Sequence, residues 1–219
     1  INPFFVSAAF DMEKGEGLEL AKKFNIKNYP TYVFLNANGE IVHRGLGSMP
    51  AEDFLKLCSA ALDSNKQYVT LRNKYINGNR ENDFLKSFSY VAADAQDSLA
   101  NEVFASYLNE QKDALSKENL QMIYDLTRSV HDAGFPILNK NKEKFIALVG
   151  EKTYNDNMEE LVWIEAKKAG KKGADPEAFK KVIQLYLPEK TDMLSAEYEI
   201  SVLKRNSEWK KYAPKAIKF

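Results

Sequence analysis

The chain has 219 residues, 44% of them hydrophobic and 28% charged, with 31 Lys+Arg balancing 31 Asp+Glu; this is the composition of a globular protein of one or two domains. No basic field exists to attract nucleic acid and no polybasic run to hold an anionic membrane. One cysteine, Cys58, excludes an intramolecular disulfide and a dithiol redox cycle within the chain, and no apolar run approaches the roughly 18 residues of a membrane-spanning helix.

Residues 1–63 carry six basic and eight acidic side chains, the remainder 25 and 23, so neither part implies a charged partner. The chain opens at Ile1 with neither Met nor a signal peptide, which leaves a processed start and a shortened one equally open. Phe4-Phe5-Val6-Ser7-Ala8-Ala9-Phe10 is apolar and ends at a polar, Gly-containing stretch, which predicts a buried strand over 4–10 and then a turn. A helix follows from about Leu18 to Phe24, with Leu20, Ala21 and Phe24 on one face, and Pro30 lies beyond its end. Thr31 to Leu35 is β-branched and aromatic and reads as a strand. Asn36-Ala37-Asn38-Gly39 reads as a hairpin loop, with Gly39 free to take positive φ, and the returning strand spans 40–45. Ser48 or Pro50 opens a helix through about Leu62, its apolar set Phe54, Leu55, Leu57, Cys58, Ala61 and Leu62 at helical spacing.

From Ser64 onward only helices are expected, about 12–17 residues each by the apolar period. Breaks fall at 77–79, 95–98, 113–114, 131–136, Gly150, 170–176 and 187–188, and Ser98, Ser116 and Asp175 stand where N-caps belong. Short breaks between paired helices suggest stacked helical hairpins, without a clean repeat period.

The order of Asp11, the helix with Leu20-Ala21-Lys22-Lys23-Phe24, Tyr29-Pro30-Thr31, Val33-Phe34-Leu35, Gly39, Arg44, Gly47 and a closing helix resembles the thioredoxin superfamily. The run Asp11 to Gly17 is similar to exported thioredoxin-related proteins of the Bacteroidetes type, which carry an all-helical extension after the thioredoxin unit. The fold class implied is α+β, a partial thioredoxin-like domain over 1–63, followed by an all-α helical-hairpin domain over 64–219. The resemblance implies a relative of thiol–disulfide oxidoreductases and disulfide isomerases, with exported protein or peptide substrates and a periplasmic or otherwise exported location. It implies a cis bond before Pro30 and a substrate groove shaped by Tyr29, Pro30 and Thr31, with the backbone of Tyr29 pairing to a substrate strand. It implies no cofactor. The family's first strand and its Cys-x-x-Cys helix have no counterpart here, so no catalytic residue is assigned. That missing strand would lie between 4–10 and 31–35, so this chain is expected to repack, to borrow a strand, or to be a piece of a longer protein. The alternative function is a non-catalytic interaction module, a decayed thioredoxin half on a helical scaffold.

Other chemistry is weaker. Cys58 on the apolar face of its helix reads as an inert core thiol. His43 and His131 lack ligand spacing and read as surface or loop residues, so no metal site is assigned. Glu159, Glu160 and Glu165 read as a solvated helix face, and the acidic residues around Asp156 lack an EF-hand order. Gly15-Glu16-Gly17 and Gly45-x-Gly47 lack the order of a phosphate loop. Tyr68, Tyr75, Phe84, Phe88, Phe104, Tyr107 and Tyr124 fall at helical spacing and read as core. Lys167, Lys168, Lys171 and Lys172 read as a solvated basic loop.

Overall fold

A computed structural model describes residues 3–218. The protein is mostly helical, with one two-stranded antiparallel sheet among the described residues. It divides into two compact units at Lys112/Asp113. The change from a sheet-containing to an all-helical chain comes earlier, after residue 63, because the helices that follow join the first unit.

In the first unit α1 (Glu16–Lys23) places Glu16 and Glu19 in its first turn and Lys22 and Lys23 in its last, the arrangement its macrodipole favours. A Cβ at position 17 would stand 1.9 Å from the Asp11 carbonyl oxygen, so Gly17 lets the helix begin directly against the Asp11 turn. The strand expected over 4–10 does not form: residues 5–10 have no ladder partner. An apolar run supplies a preference for burial, but a strand also needs a neighbour for its backbone groups. Phe4, Val6 and Phe10 are exposed, while Phe5 packs edge-on against Phe34.

Strands β1 (Thr31–Leu35) and β2 (Ile41–Leu46) form the expected hairpin. Asn36 organises its loop, its side-chain oxygen accepting the N–H groups of Asn38 and Glu40, and Gly39 takes φ +77°. The register slips between Phe34 and Leu35. One sheet face carries Tyr32, Phe34, His43 and Gly45. On it α2 (Ala51–Leu62) packs Phe54 against Tyr32 and Leu57 over Gly45. The rest of the unit is α3 (Tyr68–Ile76), α4 (Asn82–Asp94) and α5 (Ala100–Asn109), whose core is Leu71, Tyr75, Leu85, Phe88, Val103 and Tyr107. Tyr75, Phe88, Phe104 and Tyr107 are buried as the spacing predicts.

The second unit holds α6 (Lys117–Leu126), α7 (Phe135–Lys140), α8 (Lys142–Val149), α9 (Glu151–Ala169), α10 (Pro176–Tyr186), α11 (Thr191–Arg205) and α12 (Trp209–Lys218). The Ser116 and Asp175 side chains cap α6 and α10 by accepting the N–H groups of Asn119 and Ala178, and Pro176 occupies the first turn of α10. Ser98 is not a cap. The preceding carboxylate, Asp97, takes the Leu99 N–H at the head of α5 instead. Successive helices α8–α9, α9–α10 and α10–α11 pack on one another. Their centre is a stack of Phe179 on Tyr198, centroids 3.9 Å apart, with Trp163 edge-on to both. The Tyr198 hydroxyl donates to the Gly170 carbonyl, and a Cβ at 170 would strike it.

Candidate functional site

Two places in the first unit present organised polar groups. The first is the head of β1. The Tyr29–Pro30 bond is cis, Tyr29 is exposed, and the Thr31 hydroxyl donates to the Asn28 carbonyl at 2.6 Å. The Gly47 N–H donates to the Pro30 carbonyl at 2.9 Å, so these two residues are a hydrogen-bonded pair. Antiparallel pairs alternate, so Tyr32 and Phe34 bond β2, whereas Thr31 and Val33 turn their N–H and C=O groups to the opposite edge. Among the described residues no strand lies on that edge. Tyr29, Pro30 and Thr31 are thus consecutive along one accessible stretch of backbone leading into an open strand edge.

The second is a cleft of about 490 Å³ bordered by the end of α1, β2, α3 and the α4–α5 turn. Lys27, Arg44, Tyr68, Arg72, Gln96 and Asp97 supply its functional groups. Asp97 is its brace. Its Oδ2 accepts the Tyr68 hydroxyl at 2.7 Å and the Arg72 Nε at 2.9 Å, and its Oδ1 accepts the Leu99 N–H at 3.0 Å. Burial works to raise this carboxyl, but the Leu99, Tyr68 and Arg72 donors outweigh it and hold it below the usual carboxylate range. Burial, followed by the bond to Asp97, pushes the Tyr68 phenol far above its ordinary value, against the pull of Arg72 and Arg44, so its hydroxyl keeps its proton.

Arg44 Nη2 donates to the Phe24 carbonyl at 2.8 Å, at the end of α1, while its Nε is buried without a hydrogen-bond partner. Gln96 ends α4 in the left-handed region at φ +54°, and its Oε1 is likewise buried and unpartnered.

Behind the cleft, His43 corrects the surface assignment: it is buried on β2, opposite Phe34, and its Nδ1 accepts the Tyr68 N–H at 3.0 Å, capping α3 from the strand. Its place on the face shared with Gly45 was the signal for this, since alternate strand residues share a face. Burial lowers its pKa to about 4, so the imidazole is neutral with Nδ1 as acceptor. His131 is exposed and lies 3.0 Å from Glu165. Glu165 and Glu159 are more than a solvated face, since Glu159 pairs with Lys190 across two elements. Cys58 is buried, and burial raises its thiol pKa. Among the described residues no group of His, Cys, Asp and Glu is placed to hold a metal, and no helix is long and apolar enough to cross a membrane.

Comparison with protein-family models, with curated protein sequences and with solved structures returns no match. The functional reading therefore stands on the residues and their geometry.

Proposed function

We propose that this chain is a thioredoxin-like protein, related to thiol–disulfide oxidoreductases and disulfide isomerases, that is redox-inactive as it stands and receives an extended peptide along the open edge of β1, the edge that the family's missing strand would otherwise take. The observation that carries the reading is that edge. Thr31 and Val33 present unpaired backbone groups in register, with Tyr29 and Pro30 exposed at its head. An extended chain adding there gains main-chain hydrogen bonds, with alternate side chains left to set selectivity. Exported proteins or peptides are the substrate class that accompanies this proposal, and a periplasmic or otherwise exported location goes with it.

The buried state of Cys58, the chain's one cysteine, favours the second reading, a non-catalytic interaction module on a helical scaffold. Binding of fluorescein-labelled, reduced insulin B chain tests the edge. Val33→Pro deletes an outward N–H and leaves the β1–β2 bonds in place, since proline is tolerated on a sheet edge. We expect the wild-type chain to bind and Val33→Pro to bind about tenfold more weakly with unchanged far-UV circular dichroism, the order of one lost hydrogen bond. Equal binding by the two proteins, or none by either, rejects the edge as the site.

A further inference from the structure

We infer that the surface formed by the 170–173 loop, the end of α11 and α12 docks on an anionic lipid bilayer, lying on it without crossing it. This surface belongs to the second unit and is independent of the β1 edge. No single run in the sequence carries its charge; folding assembles it. A Cβ at position 173 would stand 2.6 Å from Val202 Cγ1, so Gly173 lets the loop lie directly on α11, and the Arg205 guanidinium donates to the Lys172 carbonyl. Lys171 and Lys172 take left-handed backbone there, at φ +47° and +58°. Both are exposed beside the last turn of α11, which carries Lys204 and Arg205.

Helix α12 adds further charge and an apolar stripe. Tyr212 and Ala216 are half-buried and Lys215 pairs with Glu199 of α11, which fixes the side of α12 that meets its neighbour. Trp209, Ala213 and Ile217 follow one another at i, i+4 and i+8 and form a second stripe. All three are exposed, Trp209 by 56% and Ile217 by 86%. Lys210 borders this stripe, one turn before Ala213. Lys211 is matched by Glu208 at 2.6 Å. Among the described residues no carboxylate pairs with Lys171, Lys172, Lys204, Arg205 or Lys210, so the charge left over at this end of the unit is positive.

The two features ask for one occupant. An indole and an isoleucine side chain held in water forgo the burial that the hydrocarbon boundary offers, and Trp is at home at that depth. Lysine and arginine reach from the same depth to anionic headgroups on their apolar stems. A basic rim around an apolar stripe is the composition of a helix that lies in the interface plane. Nucleic acid would answer the charge and leave Ile217 in water. A second copy of the chain would cover the stripe and bring two basic rims together, which their charge opposes.

Titration of the full chain with vesicles of phosphatidylcholine containing about one third phosphatidylglycerol tests the surface. We expect the chain to float with the lipid and its tryptophan emission to move to the blue, since Trp209 stands in the stripe. Vesicles of phosphatidylcholine alone should bind at least about tenfold more weakly, and added salt should weaken binding to the charged vesicles. The double variant Lys204→Glu, Lys210→Glu reverses two exposed charges and should bind at least about tenfold more weakly with unchanged far-UV circular dichroism. Ile217→Ser keeps every charge and should weaken binding about threefold. A labelled single-stranded oligonucleotide serves as the competing probe. The proposal is overturned if the charged vesicles do not bind, if the uncharged vesicles bind as well, if binding leaves the emission unmoved, or if either variant binds as tightly as the wild type. It is equally overturned if the oligonucleotide binds more tightly than the charged vesicles, or if sedimentation without lipid shows a dimer that Ile217→Ser dissolves.

Discussion

His43 shows how one strand residue can govern a helix. Its neutral Nδ1 satisfies one of the N–H groups that every helix leaves unbonded at its start. Protonation would replace this acceptor with a donor in a buried place. The sign of the pH effect follows: the folded pKa, about 4, lies below the ordinary 6.5, so between them the unfolded chain binds more protons. Stability from this group is complete above about pH 6.5 and is lost as pH falls toward 4. We expect a loss on the order of 2–3 kcal/mol between about pH 7.5 and 4.5. His43→Asn keeps an acceptor near the Tyr68 N–H and removes the titration. Urea unfolding followed by tyrosine near-UV circular dichroism should therefore show a flatter pH dependence for the variant. An equally steep loss in both proteins would assign the effect to other groups.

At the scale of elements, the Thr31–Leu35 strand, the Asn36–Gly39 loop and the Ala51–Leu62 helix are legible because their signals are local: β-branched residues, an Asn with a Gly three residues later, and a helical apolar period. The segment 5–10 is not, because strand formation is settled by a partner elsewhere in the chain and not by the apolar run itself. The caps divide the same way. Ser116 and Asp175 stand one residue before their helices and cap them; Ser98 loses the place to Asp97, whose carboxylate is drawn there by Tyr68 and Arg72 from another helix. Of the two candidate sites, Tyr29-Pro30-Thr31 is contiguous and readable. The cleft gathers residues from four separate stretches, and nothing around Gln96 in the sequence announces its left-handed backbone. Replacing either true cap by alanine should cost about 1 kcal/mol, and Ser98→Ala much less. Urea midpoints of the three variants check this ranking; a Ser98→Ala loss equal to the others would contradict it.

For the whole molecule, the sequence conveys the sheet-then-helices order, while the division at Lys112/Asp113 depends on which helices pack together. Redox behaviour belongs to this scale, since it depends on every thiol the chain can offer. Reduction of a disulfide needs an attacking and a resolving thiol, and this chain offers only Cys58, buried with its pKa raised. We expect no turnover of insulin disulfides above the uncatalysed thiol rate, and a stability loss of about 1 kcal/mol for Cys58→Ala, as for a small core truncation. Multiple turnover that Cys58→Ala abolishes would refute both the inert thiol and the redox-inactive reading.

The Trp163 packing against Phe179 and Tyr198 has a spectroscopic corollary. Trp163 and Trp209 are the chain's two tryptophans, and both lie beyond Asp113. Indole emission is therefore a signal of α9 to α12, with one ring held among aromatic neighbours and the other 56% exposed. The first unit, with its open strand edge and polar cleft, is dark to that light. A melting curve recorded in tryptophan fluorescence would report the second unit directly, and the His43 titration calls for a probe placed in the first.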